Sequence, residues 1–277
     1  MTGATLVLTR ANAQAEDMRQ LLGGGGVRLI DLPLQRIGPA PDPLRLRAAL
    51  TALPQTDLAL PVSPTAVAAV FAALPGPWPA HCAIGVVGAG SLRAVRRALQ
   101  AQPPDVPWPR LIAPETHDDQ AAESDSEALW HALQLAFPAA TVASFPWAGR
   151  KVSIFRGGPG REFLARKLEQ AGAKVKIVDA YSRLAPELDA QTAAQLRAAL
   201  AGSNWWLLTS TEAIGNLLHL LEAAGCSNAV LQPQGALAIH PRIAQAAGDA
   251  GFGRVELTAA TPAVVLATLQ RLAGAGG

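Results

Sequence analysis

Two short apolar runs in this chain end alike on an arginine: TLVLTR at 5–10 closes on Arg10 and KVSIFR at 151–156 closes on Arg156. Two more end on a hydroxyl, with Ser63 in LPVSPT and Ser210 between Thr209 and Thr211 in LLTST. Guanidinium groups, hydroxyls and backbone amides hold anions, above all carboxylates, through charge-assisted hydrogen bonds. Ser63 before Pro64 has the form of a helix N-cap with proline at the first helical position, which leaves later amides for an anion; Thr209, Ser210 and Thr211 repeat the arrangement. Gly88 opens the turn GAGS, ending on the hydroxyl of Ser91, and Gly157 and Gly158 open GGPGR directly after Arg156. Both turns let a ligand approach the backbone closely. Singly, each feature is what caps and turns require. As a set recurring in both halves beside Arg10 and Arg156, they point to carboxylate binding. Tyr181, the only tyrosine, ends the strand-like run KVKIVDAY, where its phenol serves either a ligand or the packing.

Other chemistries lack their residues. His81, His117, His131, His219 and His240 show no metal-ligand spacing and no partner nucleophile or carboxylate, so neither a metal nor a triad is expected. Cys82 and Cys226 belong to no CxxC pattern and read as ordinary reduced thiols. The glycine turns resemble neither a GxGxxG after the first strand nor a Walker A loop, so no nucleotide cofactor is expected, and GGGG at 23–26 reads as a loose connection. Trp205 and Trp206 open a buried strand and read as core. A net charge of +2, with no run of Lys or Arg longer than two, argues against a nucleic-acid surface but leaves an anionic small molecule open. No apolar run approaches the ~18 residues of a membrane span and the first ten residues lack the pattern of a leader, so the expectation is a soluble cytoplasmic protein.

At 277 residues, half of them hydrophobic and 16% charged, the chain suits two domains of modest size. It also repeats itself. TLVLTR, a helical stretch at 13–22 and VRLIDL are matched by KVSIFR, REFLARKLEQAG and KVKIVDAY. LALPVSPTAVAAVFAAL at 58–74 is matched by WWLLTSTEAIGNLLHLL at 205–221, with Ser63 opposite Ser210. AIGVVGAGSLRAVRRAL is matched by GALAIHPRIAQAAGDAG, with Gly88 opposite His240. Each half closes with a short strand (RLIA; RVEL) and a helix (SDSEALWHAL; TPAVVLATLQ). Three ordered matches imply duplication. Strands alternating with helices of 10–15 residues imply βαβ units, hence two parallel sheets covered by helices on both faces, with ligands beyond the carboxyl ends of the strands. The extended Pro-bearing stretches at about 33–43 and 181–188 read as two crossings between lobes, creating a cleft and a hinge.

These motifs together resemble the uroporphyrinogen-III synthase family over nearly the whole chain: VLTR with its helix, LPL-x-x-I, the strand-to-helix junctions at Ser63 and Ser210, RGG before FLARKLEQAGAKV, VDAYSR, and LAIHPRIAQAAGDAGF. The resemblance implies two three-layer α/β lobes of flavodoxin-like type joined by a two-segment linker, with 1–36 plus 185–277 forming one lobe and 37–184 the other. It implies no cofactor and an active cleft in which amides and hydroxyls hold the carboxylates of the linear tetrapyrrole hydroxymethylbilane. Ser63, Ser91, Tyr181, Ser210 and the flanking turns, with Arg10 and Arg156, carry over as site residues, and Tyr181 is the candidate acid. A phenol, ordinarily titrating near pH ~10, is protonated at neutral pH. A monomer that takes its substrate from hydroxymethylbilane synthase by transient handover is expected. The chain departs from the family where Gly-Pro-x-Thr is usual: here stand His240, Pro241, Arg242 and Ile243, so a glycine and a hydroxyl are missing, and His240 or Arg242 is left to supply that contact. A catalytically degenerate relative, or a two-lobed receptor that binds an anion without converting it, are the competing readings.

Overall fold

The description rests on a computed structural model and covers residues 4–10, 16–114, 125–138, 147–160 and 162–274. His117, Ser124, Arg161 and residues 13–15 of the first expected helix lie outside the described residues. The chain divides into two units, Met1–Ile37 with Leu184–Gly277, and Gly38–Arg183.

In the first unit the strands are β1 (Thr5–Leu8), β2 (Arg28–Asp31), β10 (Trp205–Leu208), β11 (Gly235–Ala238) and β12 (Arg254–Leu257), paired in the order β12-β11-β10-β1-β2 and parallel throughout. WWLL and GALA are buried along their whole length because helices cover both faces of the sheet. Side chains alternate between the faces, so the two adjacent tryptophans enter different cores. Trp206 packs with Leu196, Leu217 and Ala247 from α7 (Ala190–Leu200), α8 (Thr211–Ala223) and α9 (Pro241–Ala250). Trp205 packs with Met18, Leu22, Val265 and Leu269 from α1 (Glu16–Gly24) and α10 (Pro262–Gly274). The GGGG run is not the loose connection its composition predicts. Gly23 and Gly24 finish α1, whose Leu22 packs into the core, and Gly26 turns the chain at a φ of 75° that favours glycine.

The second unit repeats the spatial plan with β4 (Leu58–Pro61), β5 (Ala83–Gly85), β6 (Leu111–Ile112), β7 (Lys151–Arg156) and β8 (Lys174–Asp179), ordered β6-β5-β4-β7-β8 and parallel. One face is covered by α2 (Pro43–Thr51), α3 (Pro64–Ala73) and α4 (Ala89–Gln100), the other by α5 (Asp125–Ala136) and α6 (Phe163–Gln170). Here β7 and β8 take the places that β1 and β2 hold in the first unit, moved from the start of the unit to its end. In each unit the sequence of strands reverses direction once, between β10 and β1 and between β4 and β7. At such a point the two crossovers leave toward opposite faces and a crevice opens beyond the carboxyl ends. The segments at the chain's two passages between units, β3 (Arg36–Gly38) and β9 (Ser182–Leu184), form a two-stranded sheet.

No helix among the described residues is long and apolar enough to cross a membrane. Cys82 is fully buried, and burial, with Asp57 adding to it, pushes its thiol up to about 12. The thiolate is the reactive form. Brief alkylation of the native protein at pH 8 is therefore expected to label Cys226, which is partly accessible, and to leave Cys82 unlabelled until denaturant is added; mass spectrometry of the digest reads the outcome.

Candidate active site

The crevice between β4 and β7 holds a cavity of about 240 Å³ whose polar lining is Ser63, Ser126, Arg156, Arg183, Tyr181 and the turn Gly157–Gly160, set against Val62, Val87, Ile154, Leu164 and Ile177. Every lining residue belongs to the second unit. The strand ends place them: Ser63 follows β4, Val87 follows β5, Arg156 closes β7, and Tyr181 follows β8.

Ser63 is the N-cap of α3, with φ −160° and ψ 159°, and its hydroxyl oxygen accepts from the Ala66 amide at 3.0 Å. That oxygen lies 3.3 Å from the Tyr181 hydroxyl. The distance is long for a hydroxyl pair, so the phenol is directed without being tied. The Tyr181 ring is 4% exposed and packs in the α2–α4 core, with its hydroxyl end at the cavity. Gly157 lies directly beneath it: a Cβ there would fall 2.1 Å from Cζ of the tyrosine. Only glycine fits. Gly158 follows at φ 77° and turns the chain toward α6. Arg156, side chain 21% exposed, holds Asp179 at the end of β8 through Nε, 3.3 Å from Oδ1.

The helix starts differ from one another. At α3 the cap consumes the Ala66 amide, Pro64 has none, and Val67 N–H donates to the Ser63 carbonyl, so this start offers an anion less than its sequence predicts. At α4, Gly88 has no side chain to cap with, and the amides of Ala89, Gly90 and Ser91 have no acceptor among the described residues. Those are the donors an anion takes at a helix N-terminus. The Ser91 hydroxyl does not join them at the cavity: Ser91 is 3% exposed on the core side of α4 and is not a lining residue, because the third helical position turns inward here.

The first unit carries the related groups at its own strand ends. Ser210 caps α8, accepting from Ala213 at 3.1 Å, with Thr209 before it and Thr211 at the first helical position, but Glu212 adds an acidic group to that turn. Arg10 follows β1, has no carboxylate partner among the described residues, and its pKa is lowered by burial. His240 caps α9, its Nδ1 accepting from the Arg242 amide at 3.1 Å. This requires Nδ1 unprotonated, so an imidazole does the capping that a hydroxyl does elsewhere. His81, His131 and His219 take no part in the cavity, and no group of three or more metal-ligating side chains occurs among the described residues.

Ser63 thus does two tasks, and Ser63→Ala is expected to cost about 1 kcal/mol of cap energy, roughly 3 °C in the melting of this unit, besides removing the partner of the Tyr181 hydroxyl. A thermal melt beside an activity assay separates the two. Sequence reasoning missed Asp179, Arg183 and Ser126. Of these, Asp179 left a signal, because KIVD repeats RLID of the other half.

A parallel α/β unit that gathers an arginine, hydroxyls and a glycine turn at its switch point has the donors that a small anionic molecule requires. The family model described as Uroporphyrinogen-III synthase HemD matches residues 16–264, and the chain belongs to that family. Its fold is similar to that of uroporphyrinogen-III synthetase from Helicobacter pylori, at 12% identity over 98% of this chain and 99% of that one with a TM-score of 0.57. It is similar also to a mutant uroporphyrinogen III synthase from Thermus thermophilus, at 19% identity over 98% and 100% of the two chains with a TM-score of 0.51.

Proposed function

We propose that this chain is a uroporphyrinogen-III synthase that closes hydroxymethylbilane into a ring with inversion of ring D and loss of water, and that the cavity between β4 and β7 takes part of that substrate. Membership of the family over residues 16–264 carries the reading. The polar groups fit it: Arg156, the amides of Gly157 and Gly158 and the α4 start behind Gly88 are suited to carboxylates, and the paired hydroxyls of Ser63 and Tyr181 to a leaving hydroxyl. In the first unit, Arg10, Thr209, Ser210, Thr211 and His240 are proposed as further carboxylate-binding groups. The proposed class is a cyclising hydro-lyase, acting as a monomer in the cytoplasm and supplied by hydroxymethylbilane synthase.

The reaction asks little covalent chemistry of the protein. A pyrrole nitrogen of the substrate expels the terminal hydroxyl, which leaves as water if a proton meets it. The azafulvene so formed is attacked by the substituted carbon of ring D, giving a spiro intermediate that fragments and recloses with that ring turned over. Tyr181, a lining residue of the cavity, gives the proton in this reading, and the proton lost when the last pyrrole regains aromaticity restores it. Ser63 supports this donation: its oxygen already accepts from Ala66, so its own O–H is available to the tyrosine oxygen. The rest is control of geometry, since spontaneous closure omits the inversion. Coupling the protein to freshly made hydroxymethylbilane and separating the ring isomers tests the reading: the type III ring is expected, and type I alone at the spontaneous rate would overturn it in favour of a receptor.

A further inference from the structure

The two units treat equivalent acidic strand ends differently. In the first, Asp31 at the end of β2 is taken by Arg19 of α1, with Nη2 2.7 Å from Oδ1 and Nε 3.3 Å from Oδ2, so Arg10 at the end of β1 has no carboxylate beside it among the described residues. In the second, Asp179 at the end of β8 is met by the strand-end arginine itself, Arg156, through Nε alone. A guanidinium has five N–H donors in a planar fork. With Nε on Asp179, both terminal nitrogens of Arg156 have no protein acceptor among the described residues, and Arg156 lines the cavity.

From this asymmetry we infer that Asp179 is a positioning residue, which fixes the plane of the Arg156 guanidinium so that its terminal nitrogens take one carboxylate of the tetrapyrrole. The inference rests on the proposed function for the identity of the ligand. A side-on contact through Nε restricts rotation of the fork while leaving the paired nitrogens for bidentate recognition, the geometry that lysine cannot reproduce. A cavity of about 240 Å³ lies below the roughly 300–1,000 Å³ of pockets that enclose a whole drug-sized ligand, so it admits a single substituted ring rather than the entire chain. One well-oriented arginine then decides how that ring sits.

Binding of uroporphyrin III, the oxidised and stable form of the product, measured by fluorescence in the full chain, tests the role without depending on turnover; KM for hydroxymethylbilane is the second readout. Asp179→Ala is expected to weaken binding and raise KM about tenfold with kcat within about twofold. Asp179→Asn, which keeps an acceptor for Nε, leaves affinity at least as strong as in the unaltered protein. Arg156→Lys matches the alanine variant, and Asp31→Ala serves as the control with unchanged affinity. Thermal melts show whether each variant is folded, and should Asp179→Ala fail to fold, the asparagine and lysine variants carry the test. Equal weakening by Asp179→Asn and Asp179→Ala would overturn the inference, because charge rather than placement would then matter; so would unaltered affinity in Arg156→Lys. If the unaltered protein yields only the type I ring, the proposed reaction fails, while the porphyrin affinities still decide the role of Asp179.

Discussion

Gly157→Ala is expected to lower kcat/KM about 10²-fold in a chain that still folds, a larger loss than Tyr181→Phe produces. The reason is steric. The new Cβ would lie 2.1 Å from Cζ, 2.2 Å from Cε2 and 2.6 Å from Cε1 of Tyr181, so the ring must leave its place. The ring is nearly buried in the α2–α4 core, and its displacement moves the cavity wall as well as the hydroxyl. Misplacement of about 1 Å at a reacting centre costs on the order of 10²-fold. Tyr181→Phe, by contrast, removes one donor and leaves the wall, so its loss is expected to stay within about tenfold. Steady-state kinetics of both variants decide the order. A Gly157→Ala enzyme as active as the unaltered one would show that Tyr181 does not need its observed place, whereas an inert Tyr181→Phe would assign the hydroxyl far more of the catalysis.

The second large effect falls on stability and not on chemistry. Gln234, fully buried just before β11, accepts at Oε1 from the Asn204 amide at 3.0 Å and from Trp206 Nε1 at 3.3 Å, and its Nε2 donates to the Gly202 carbonyl at 2.7 Å. Asn204 in turn donates to the Ala199 carbonyl at 2.8 Å. The network ties the end of α7 to the beginnings of β10 and β11. Gln234→Leu would strand two buried donors and weaken a third contact, each worth about 1–3 kcal/mol when left unmade. A loss of about 4 kcal/mol is expected, seen as a fall of roughly 10 °C in the melting of the first unit. KM should stay unchanged, because these groups lie at the amino ends of the strands, away from the carboxyl ends where ligands bind. A melt shifted by less than about 2 °C would mean that water replaces the amide.

Much of the fold was legible because its physics is local. Buried parallel strands must be continuous apolar runs, as in LALP and WWLL, and helices that follow them announce themselves by caps, so Ser63 and Ser210 were found at the positions they occupy. The cap at His240 was harder, since an imidazole seldom serves, and the alignment with Gly88 gave the place but not the bond. The end of α1 is not legible in composition because glycine favours turns, yet Leu22 anchors the last turn well enough to carry Gly23 and Gly24 in helix.

The candidate site was legible as a set of residue types and not as an arrangement. That Gly157 lies beneath Tyr181 follows from the pairing of β7 with β8, a register no spacing reveals. Ser63 meets Tyr181 only because β4 neighbours β7. Ser91 misled for the opposite reason: a hydroxyl beside two glycines looks like a ligand group, but its helical position turns it into the core.

A tetrapyrrole carboxylate is expected to enter the crevice between β4 and β7. A crystal structure of the protein with its product bound tests that most directly. The prediction is a carboxylate within hydrogen-bonding distance of the Arg156 terminal nitrogens, with a pyrrole ring against Gly157 and Tyr181. Product bound elsewhere, with this cavity holding only water, would contradict the account.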